Sequence, residues 1–447
     1  MHLDDVVSGR TGAPGVRGAL RSSPLRRRVR GMVVDSLARP TPLGPCRLRR
    51  TKFKPGRKLT AYLDADVGDG TGRPRAIAVT WQAADAAPLG RSAEESALEE
   101  EAEGRALSTP FRRLSAEAPD LRMRVVIAPL DAAFPQLVRL SDPAYVAKLL
   151  GVSTGFEVVT VRYRPGQRHV LLYRPAAARD GPALFAKLYR DDAGARCHQV
   201  ARAVADLLDG ARVCEGVRPL AYLDNGDRAL LFPSVPGLPL SVWLRSGASG
   251  AGAHLRKGGA TLRRLHDAPP ELGALVEPRR VEAELAATQR ASEAIQQLMP
   301  STGAVVRGIV TRTRDVLSRV PAEPPGFAHG DYKADHLLVS RAGVTVLDFD
   351  RCARAEPALD LAKFLADLRW WTARRPGATA SAQEEFLRGY GPTSPLRLAR
   401  ARMLEPLLFL KMAARRVPVH QTDWDGRTSA RVEWADQLLH DVERACP

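Results

Sequence analysis

Ala328-His329-Gly330-Asp331-Tyr332-Lys333-Ala334-Asp335-His336-Leu337-Leu338-Val339, then Val344-Thr345-Val346-Leu347-Asp348-Phe349-Asp350, is the stretch whose reading decides this chain. The apolar runs 337–339 and 344–347 flank Arg341-Ala342-Gly343 and predict a short β-hairpin. Such a hairpin holds Asp331, His336 and Asp348 near one another at its open end. A lone Asp at a turn is usually a turn former. A His-x-Asp followed seventeen residues later by an Asp-Phe-Asp with apolar flanks is far more specific. Two carboxylates so placed suit phosphoryl transfer. One orients or deprotonates a hydroxyl, and the other holds a hard cation on nucleotide phosphates.

Upstream of this island a pattern occurs twice. Residues 52–62 read KFKPGRKLTAY and residues 162–173 read RYRPGQRHVLLY. Each is a Pro-Gly turn between extended segments, a hairpin signal. A further strand follows each, at 76–81 and 184–189. The offsets are 110 residues at Pro55/Pro165 and 108 at Val79/Lys187, which predicts two small β units of common origin. With Val79 in place of Lys187, the first unit is expected to lack a cation for phosphate. Glu94, Glu95, Glu99, Glu100, Glu101 and Glu103 read as a solvated loop or helix face. Residues 145–150 read as a helical connector. Helical patterns fill 253–266 and 279–319, with a break at Pro300. They return near 359–374, 382–390, 396–416 and 429–445. The expected fold class is α+β and bilobal. Residues 1–30 form a disordered basic arm, 31–145 an accessory domain that duplicates an N-lobe in degenerate form, 146–236 the N-lobe, and 237–447 a helical C-lobe carrying the hairpin.

HGDYKADH with VLDFD and then Glu356-Pro357-Ala358-Leu359-Asp360-Leu361-Ala362 resembles the aminoglycoside phosphotransferase family of the protein-kinase-like superfamily, over roughly residues 155–410. The resemblance implies a protein-kinase-like fold, ATP and Mg²⁺ as cofactors, and transfer of the γ-phosphate to a hydroxyl. By matching position, Asp331 is implied as the catalytic base, and Lys333 resembles the lysine that Ser/Thr kinases place on the transferring phosphate. Lys187 is implied on the α/β-phosphates, Arg164 and Gly166 in the nucleotide loop, and Phe232, Ser234 and Val235 in the hinge beside adenine. Asp348 is implied as the metal ligand. His329 and Asp360 are implied as supports of the catalytic loop. His336 stands where the family has Asn, its second metal ligand, so Asp350 or Asp335 is expected to assist. The helix after Lys187 has no Glu to pair with that lysine; Asp206 or Gln199 would be the substitute.

The chain has 447 residues and a net charge of +17. Residues 1–60 hold 15 Lys/Arg against 3 Asp, so most of the excess sits in the first eighth. Nucleic acid is therefore an unlikely partner, the charge being local and without aromatic interleaving. Five scattered cysteines with no CxxC pair predict reduced thiols in a cytoplasmic protein. No apolar run reaches membrane-spanning length. The expected partners are a nucleotide and a hydroxyl-bearing acceptor. That acceptor is a small molecule, such as an antibiotic or metabolite, or a Ser/Thr precursor peptide; a pseudokinase binding module is the non-enzymatic alternative. The basic composition disfavours a cationic acceptor and favours an anionic or neutral one.

Overall fold

The computed structural model describes residues 2–68, 73–86, 90–152, 155–176, 183–209, 214–375 and 377–445. Residues 1–30 are not a disordered arm. They run into helices α1 (Leu3–Ser8), α2 (Gly12–Arg21) and α3 (Ser23–Asp35). Small apolar residues recur there at helical spacing, and Val6, Val7, Ala13, Val16, Val29, Met32 and Val33 are buried. Arg26, Arg27 and Arg28 face solvent, which makes the segment look unstructured by composition. The Arg17 guanidinium is anchored to Asp425 of the last helix.

The first β unit comprises β1 (Leu43–Lys54), β2 (Lys58–Val67), β3 (Pro74–Gln82), α4 (Ala93–Gly104), β4 (Ser115–Ala118) and β5 (Met123–Ile127). Its sheet order is β1-β2-β3-β5-β4. Helices α5 (Gln136–Leu140) and α6 (Pro143–Leu149) lead to the second unit. That unit holds β6 (Phe156–Arg164), β7 (Arg168–Pro175), β8 (Leu184–Leu188), α7 (Ala193–Leu208), β9 (Cys214–Gly216), β10 (Ala221–Leu223) and β11 (Ala229–Pro233). Its sheet runs β6-β7-β8-β11-β10, the same order with a helix after the third strand again. Gly56 and Gly166 take the same left-handed conformation at the two turns, φ +66° and +69°. The likeness therefore extends from one hairpin to a whole five-stranded unit.

Strand register corrects the alignment by one residue. Lys187 pairs with Val170, and Thr80 pairs with Thr60, which lies 110 residues before Val170. Thr80, not Val79, occupies the Lys187 position; Val79 points into the core. Helix α4 is a solvated acidic face only in part, with Glu94, Glu100 and Glu103 exposed. Ser92 and Glu95 form a capping box at its start, and Glu95 and Glu99 are buried. Glu95 pairs with Arg124, and Glu99 accepts from the Leu114 amide and the Ser115 hydroxyl.

The C-lobe begins with β12 (Leu238–Pro239), α8 (Leu240–Ser246), α9 (Ala251–His266), α10 (Pro270–Ala274), α11 (Val281–Ala291), α12 (Glu293–Leu298) and α13 (Pro300–Ser318). The expected hairpin follows as β14 (Leu337–Val339) and β15 (Val344–Val346), between β13 (Gly326–Ala328) and β16 (Ala353–Ala355). Helices α14 (Ala358–Thr372), α15 (Ala378–Tyr390), α16 (Pro395–Arg416) and α17 (Trp424–Ala445) complete it. Helix α14 is buried on nearly all sides, with Leu361, Ala362, Phe364, Leu365, Ala366 and Leu368 all in the core. Phe364 stacks on Phe386 of α15 at 4.2 Å between centroids, worth about 0.5–1.5 kcal/mol beyond the area buried. This central helix is the floor on which the polar island rests.

Cys46, Cys197 and Cys352 are free thiols. Cys446 and the side chain of Cys214 lie outside what is described. Among the described residues no helix is long and apolar enough to cross a membrane.

Candidate active site

The island is held in shape by α14, whose polar residues at 360, 363 and 367 share one face at i, i+3 and i+7. Asp360, 1% exposed, accepts from the amides of His329 at 2.6 Å and Gly330 at 2.8 Å. Burial works against its charge, but hydrogen bonding and charge from His266 hold the carboxyl below its ordinary value. Asp367 accepts from the Ala334 amide at 2.6 Å. His329 Nε2 lies 3.1 Å from the Leu347 carbonyl, so that nitrogen carries the proton and donates. Its Nδ1 then accepts from the Asp331 amide at 3.3 Å. Gly330 has φ +73°, and a Cβ there would lie 1.9 Å from the Arg351 carbonyl oxygen, so only glycine fits.

On this frame Asp331, His336 and Asp348 present one ligand atom each within 4.8 Å of one another. His336 lies between the carboxylates, with Nδ1 3.9 Å from Asp331 and Nε2 3.3 Å from Asp348. Burial and the neighbouring Lys333 pull the imidazole down to about 4, so it is neutral with a free lone pair at pH 7. Its Nδ1 is buried without a hydrogen-bond partner among the described residues. Asp348 sits at φ +67°, a strained conformation for a non-glycine, where strand β15 gives way to a single 3₁₀ turn.

Lys187 reaches across from β8 to this cluster. Its Nζ is 2.7 Å from Asp348 and also pairs with Asp350. Burial opposes its charge, but Asp350 and Asp348 raise the ammonium above its ordinary value. Asp348 is likewise held ionised by Lys187 against the cost of burial. Asp331 is flanked by Lys333 at 2.6 Å and Lys363 at 3.4 Å. Burial works against the Asp331 charge, yet Lys363 and Lys333 keep its carboxyl far below the usual range.

The structure thus brings Lys187, Asp331, Lys333, His336 and Asp348 together, with His329 and Asp360 behind them. Four expectations are redirected. Gly166 donates its amide to Asp131 at 2.7 Å, and Arg164 lines a basic cavity beside the accessory unit, not the carboxylate cluster. Asp335 turns to Ser241 at 2.5 Å and so lies away from the cluster. Asp206 pairs with Arg218 on the surface. The carboxylate that partners Lys187 in place of a helix Glu is Asp350, which also takes Arg168 at 2.7 Å, the Tyr189 hydroxyl at 2.7 Å and the Cys197 thiol at 3.2 Å. In the hinge segment, Phe232 pairs in register with Phe185, Ser234 donates its amide to Ala183, and Val235 packs half-buried against the core.

Sequence reasoning missed Lys363, Asp367 and the role of Asp350. For the first two the signal was present: charged residues on an otherwise apolar helix, spaced from Asp360 along one face. The arrangement can hold a divalent cation between two carboxylates and an imidazole, grip an anion with Lys187, and orient a hydroxyl at Asp331.

Residues 172–404 match the model of the phosphotransferase enzyme family. Among solved structures, the chain is similar to a spectinomycin phosphotransferase in complex with ADP and spectinomycin, at 12% identity and TM-score 0.47 over 67% of this chain and 98% of that one. An aminoglycoside phosphotransferase from Streptomyces rimosus is 24% identical, with TM-score 0.42 over 60% and 97%. A choline/ethanolamine kinase family protein from Mesorhizobium loti is 18% identical, with TM-score 0.46 over 68% and 98%. No curated protein matches the chain.

Proposed function

Since the chain belongs to the phosphotransferase enzyme family, we propose that it moves the terminal phosphate of ATP to a hydroxyl of a small molecule, with Mg²⁺ as cofactor. The observation that carries this reading is the unbroken chain of contacts from Lys187 through Asp348 and His336 to Asp331 and its two lysines. The donor set fits a divalent cation, and the unpartnered His336 Nδ1 leaves a buried lone pair for it. Asp348 and His336 would hold the ion; when bound, it offsets charge on the phosphates.

The remaining work belongs to the side chains. Lys187 offers a desolvated ammonium to the non-transferred phosphates. Asp331, ionised and flanked by Lys333 and Lys363, accepts a hydrogen bond from the acceptor hydroxyl and aims it in line. Two adjacent lysines make Asp331 a weak base, so positioning is its larger contribution and the proton leaves late. Lys333 neutralises charge that develops on the moving phosphoryl group.

A nucleotide-binding module without turnover is the second reading. His336 in place of an amide ligand favours it, as does the hold of Asp350 on Lys187. A peptide Ser or Thr meets the same requirement at Asp331 and belongs in any acceptor screen. Asp331→Asn separates the readings. For an enzyme, the substitution lowers turnover by about 10²–10⁴-fold, the usual worth of a positioned base, and leaves nucleotide affinity within a few-fold. Turnover equal to that of the parent protein refutes the assignment.

A further inference from the structure

Between the accessory β unit and the C-lobe lies a cavity of about 680 Å³, within the range of small-molecule sites. Its walls are β1 and its turn, the β6–β7 turn, helices α11 and α12, and the end of α16 with the loop that follows. Eight arginines and two lysines line it, against a single glutamate. Three of these cations already answer carboxylates: Arg49 with Asp64, Arg57 with Glu293, and Arg416 with Asp367. The others have no carboxylate partner among the described residues. They include Lys52 and Lys54 from the first turn motif, Arg164 from its repeat, and Arg290 of α11. Burial and then Lys54, Lys58, Arg164 and Arg50 pull the Lys52 ammonium down to about 8. Arg164 is likewise drawn to about 10 by burial and its arginine neighbours. A concave space that holds this much unanswered positive charge is stabilised by an anion inside it.

The cavity adjoins the reaction centre. Arg351 and Arg415 line both it and the smaller pocket that contains Asp331 and Asp348. A molecule seated among the basic residues therefore lies beside the pocket that holds Asp331. Arginine forks suit phosphate and carboxylate groups, which accept two parallel hydrogen bonds.

We propose that this chamber is the acceptor site, and that the acceptor is a small polyanion: a hydroxyl-bearing molecule with two or more phosphate or carboxylate groups. The proposal rests on the phosphotransferase reading above. It gives the duplicated unit a role, because the basic turn motif of each copy supplies one rim of the chamber. Walls on several sides favour a compact molecule over a nucleic-acid strand.

Two measurements on the full chain test it. Titration with inorganic tripolyphosphate should show saturable one-to-one binding that weakens with salt, and Lys54→Gln combined with Arg290→Gln should weaken it at least tenfold. Binding that never saturates, or that the double substitution leaves unchanged, overturns the proposal. So does a single-stranded RNA oligonucleotide that binds more tightly than tripolyphosphate and competes with it, since the chamber then serves nucleic acid. The second measurement follows ADP formation with phosphorylated and carboxylated polyols beside neutral and cationic ones. Acceptance of the anionic compounds, with competition by tripolyphosphate, supports the proposal. Acceptance of neutral or cationic compounds alone, without such competition, overturns it and leaves the phosphotransferase reading standing. Saturable, substitution-sensitive binding with no acceptor phosphorylated in any class supports the anion chamber and overturns the enzymatic reading instead.

Discussion

Replacing Asp360 by Ala tests how the catalytic loop is held. In the native fold its two oxygens accept from the His329 and Gly330 amides at 2.6 and 2.8 Å, and His266 Nε2 stands 3.4 Å away. The site is 1% exposed, so solvent does not stand ready to replace the lost acceptor. A buried donor left unpaired costs about 1–3 kcal/mol, so two orphaned amides cost about 2–6 kcal/mol. That is a large share of the roughly 5–15 kcal/mol that holds a typical domain folded. Asp360→Asn keeps one acceptor oxygen and should fall between the parent and Ala. Urea unfolding with tertiary fluorescence reads the loss, and hydrogen exchange at His329 and Gly330 locates it. Turnover should drop further than nucleotide affinity, because the loop that aims Asp331 loses its anchor. A stability loss under about 1 kcal/mol in the Ala variant, below the cost of a single orphaned amide, refutes the reasoning.

Gly330→Ala should be more damaging than an ordinary surface change, because its Cβ would overlap the Arg351 carbonyl oxygen at 1.9 Å in a left-handed backbone; a melting temperature equal to the parent's contradicts this. For the metal-free protein, stability should fall as pH drops from about 6.5 toward 4. There the unfolded chain protonates His336 while the folded chain, with this group near 4, does not. The His336 share of the loss is about 3 kcal/mol over that interval, and His336→Asn should make the fall shallower by that amount in a denaturant series across pH. Burial and the adjacent Asp350 carboxylate push the Cys197 thiol up to about 12, so it should resist iodoacetamide at pH 8 in the native state and react once unfolded, as mass spectrometry would read.

The reach of the sequence differed between the parts of the molecule for physical reasons. The His329–Asp350 island is local: a turn, two short apolar strands and the polar residues between them all lie within one hairpin's length, so spacing alone places Asp331, His336 and Asp348 together. Lys187 was legible from its rank before the hinge segment. The pairing of Lys187 with Asp350 was not, because it depends on how far α7 approaches the Asp-Phe-Asp turn, where the Cys197 thiol meets Asp350. The N-terminal helices were obscured by composition: arginine, glycine and proline mask an apolar spacing at 13, 16, 19 and 20, and again at 29, 32 and 33. The second strand order repeats the first, but a hairpin motif shows only its own corner of a sheet. The Thr80 equivalence needed the register itself.

The tip of the β6–β7 hairpin is tied to the accessory unit at three points. Gly166 donates to Asp131 at 2.7 Å, Gln167 donates to the Tyr62 hydroxyl at 2.9 Å, and Lys52 donates to the Gln167 side chain at 2.8 Å. Arg168, next along, holds Asp350. The tip is thus geared to a neighbouring sheet and cannot flap as an isolated loop. Any displacement of the tip must break these three ties or carry the first unit along with it.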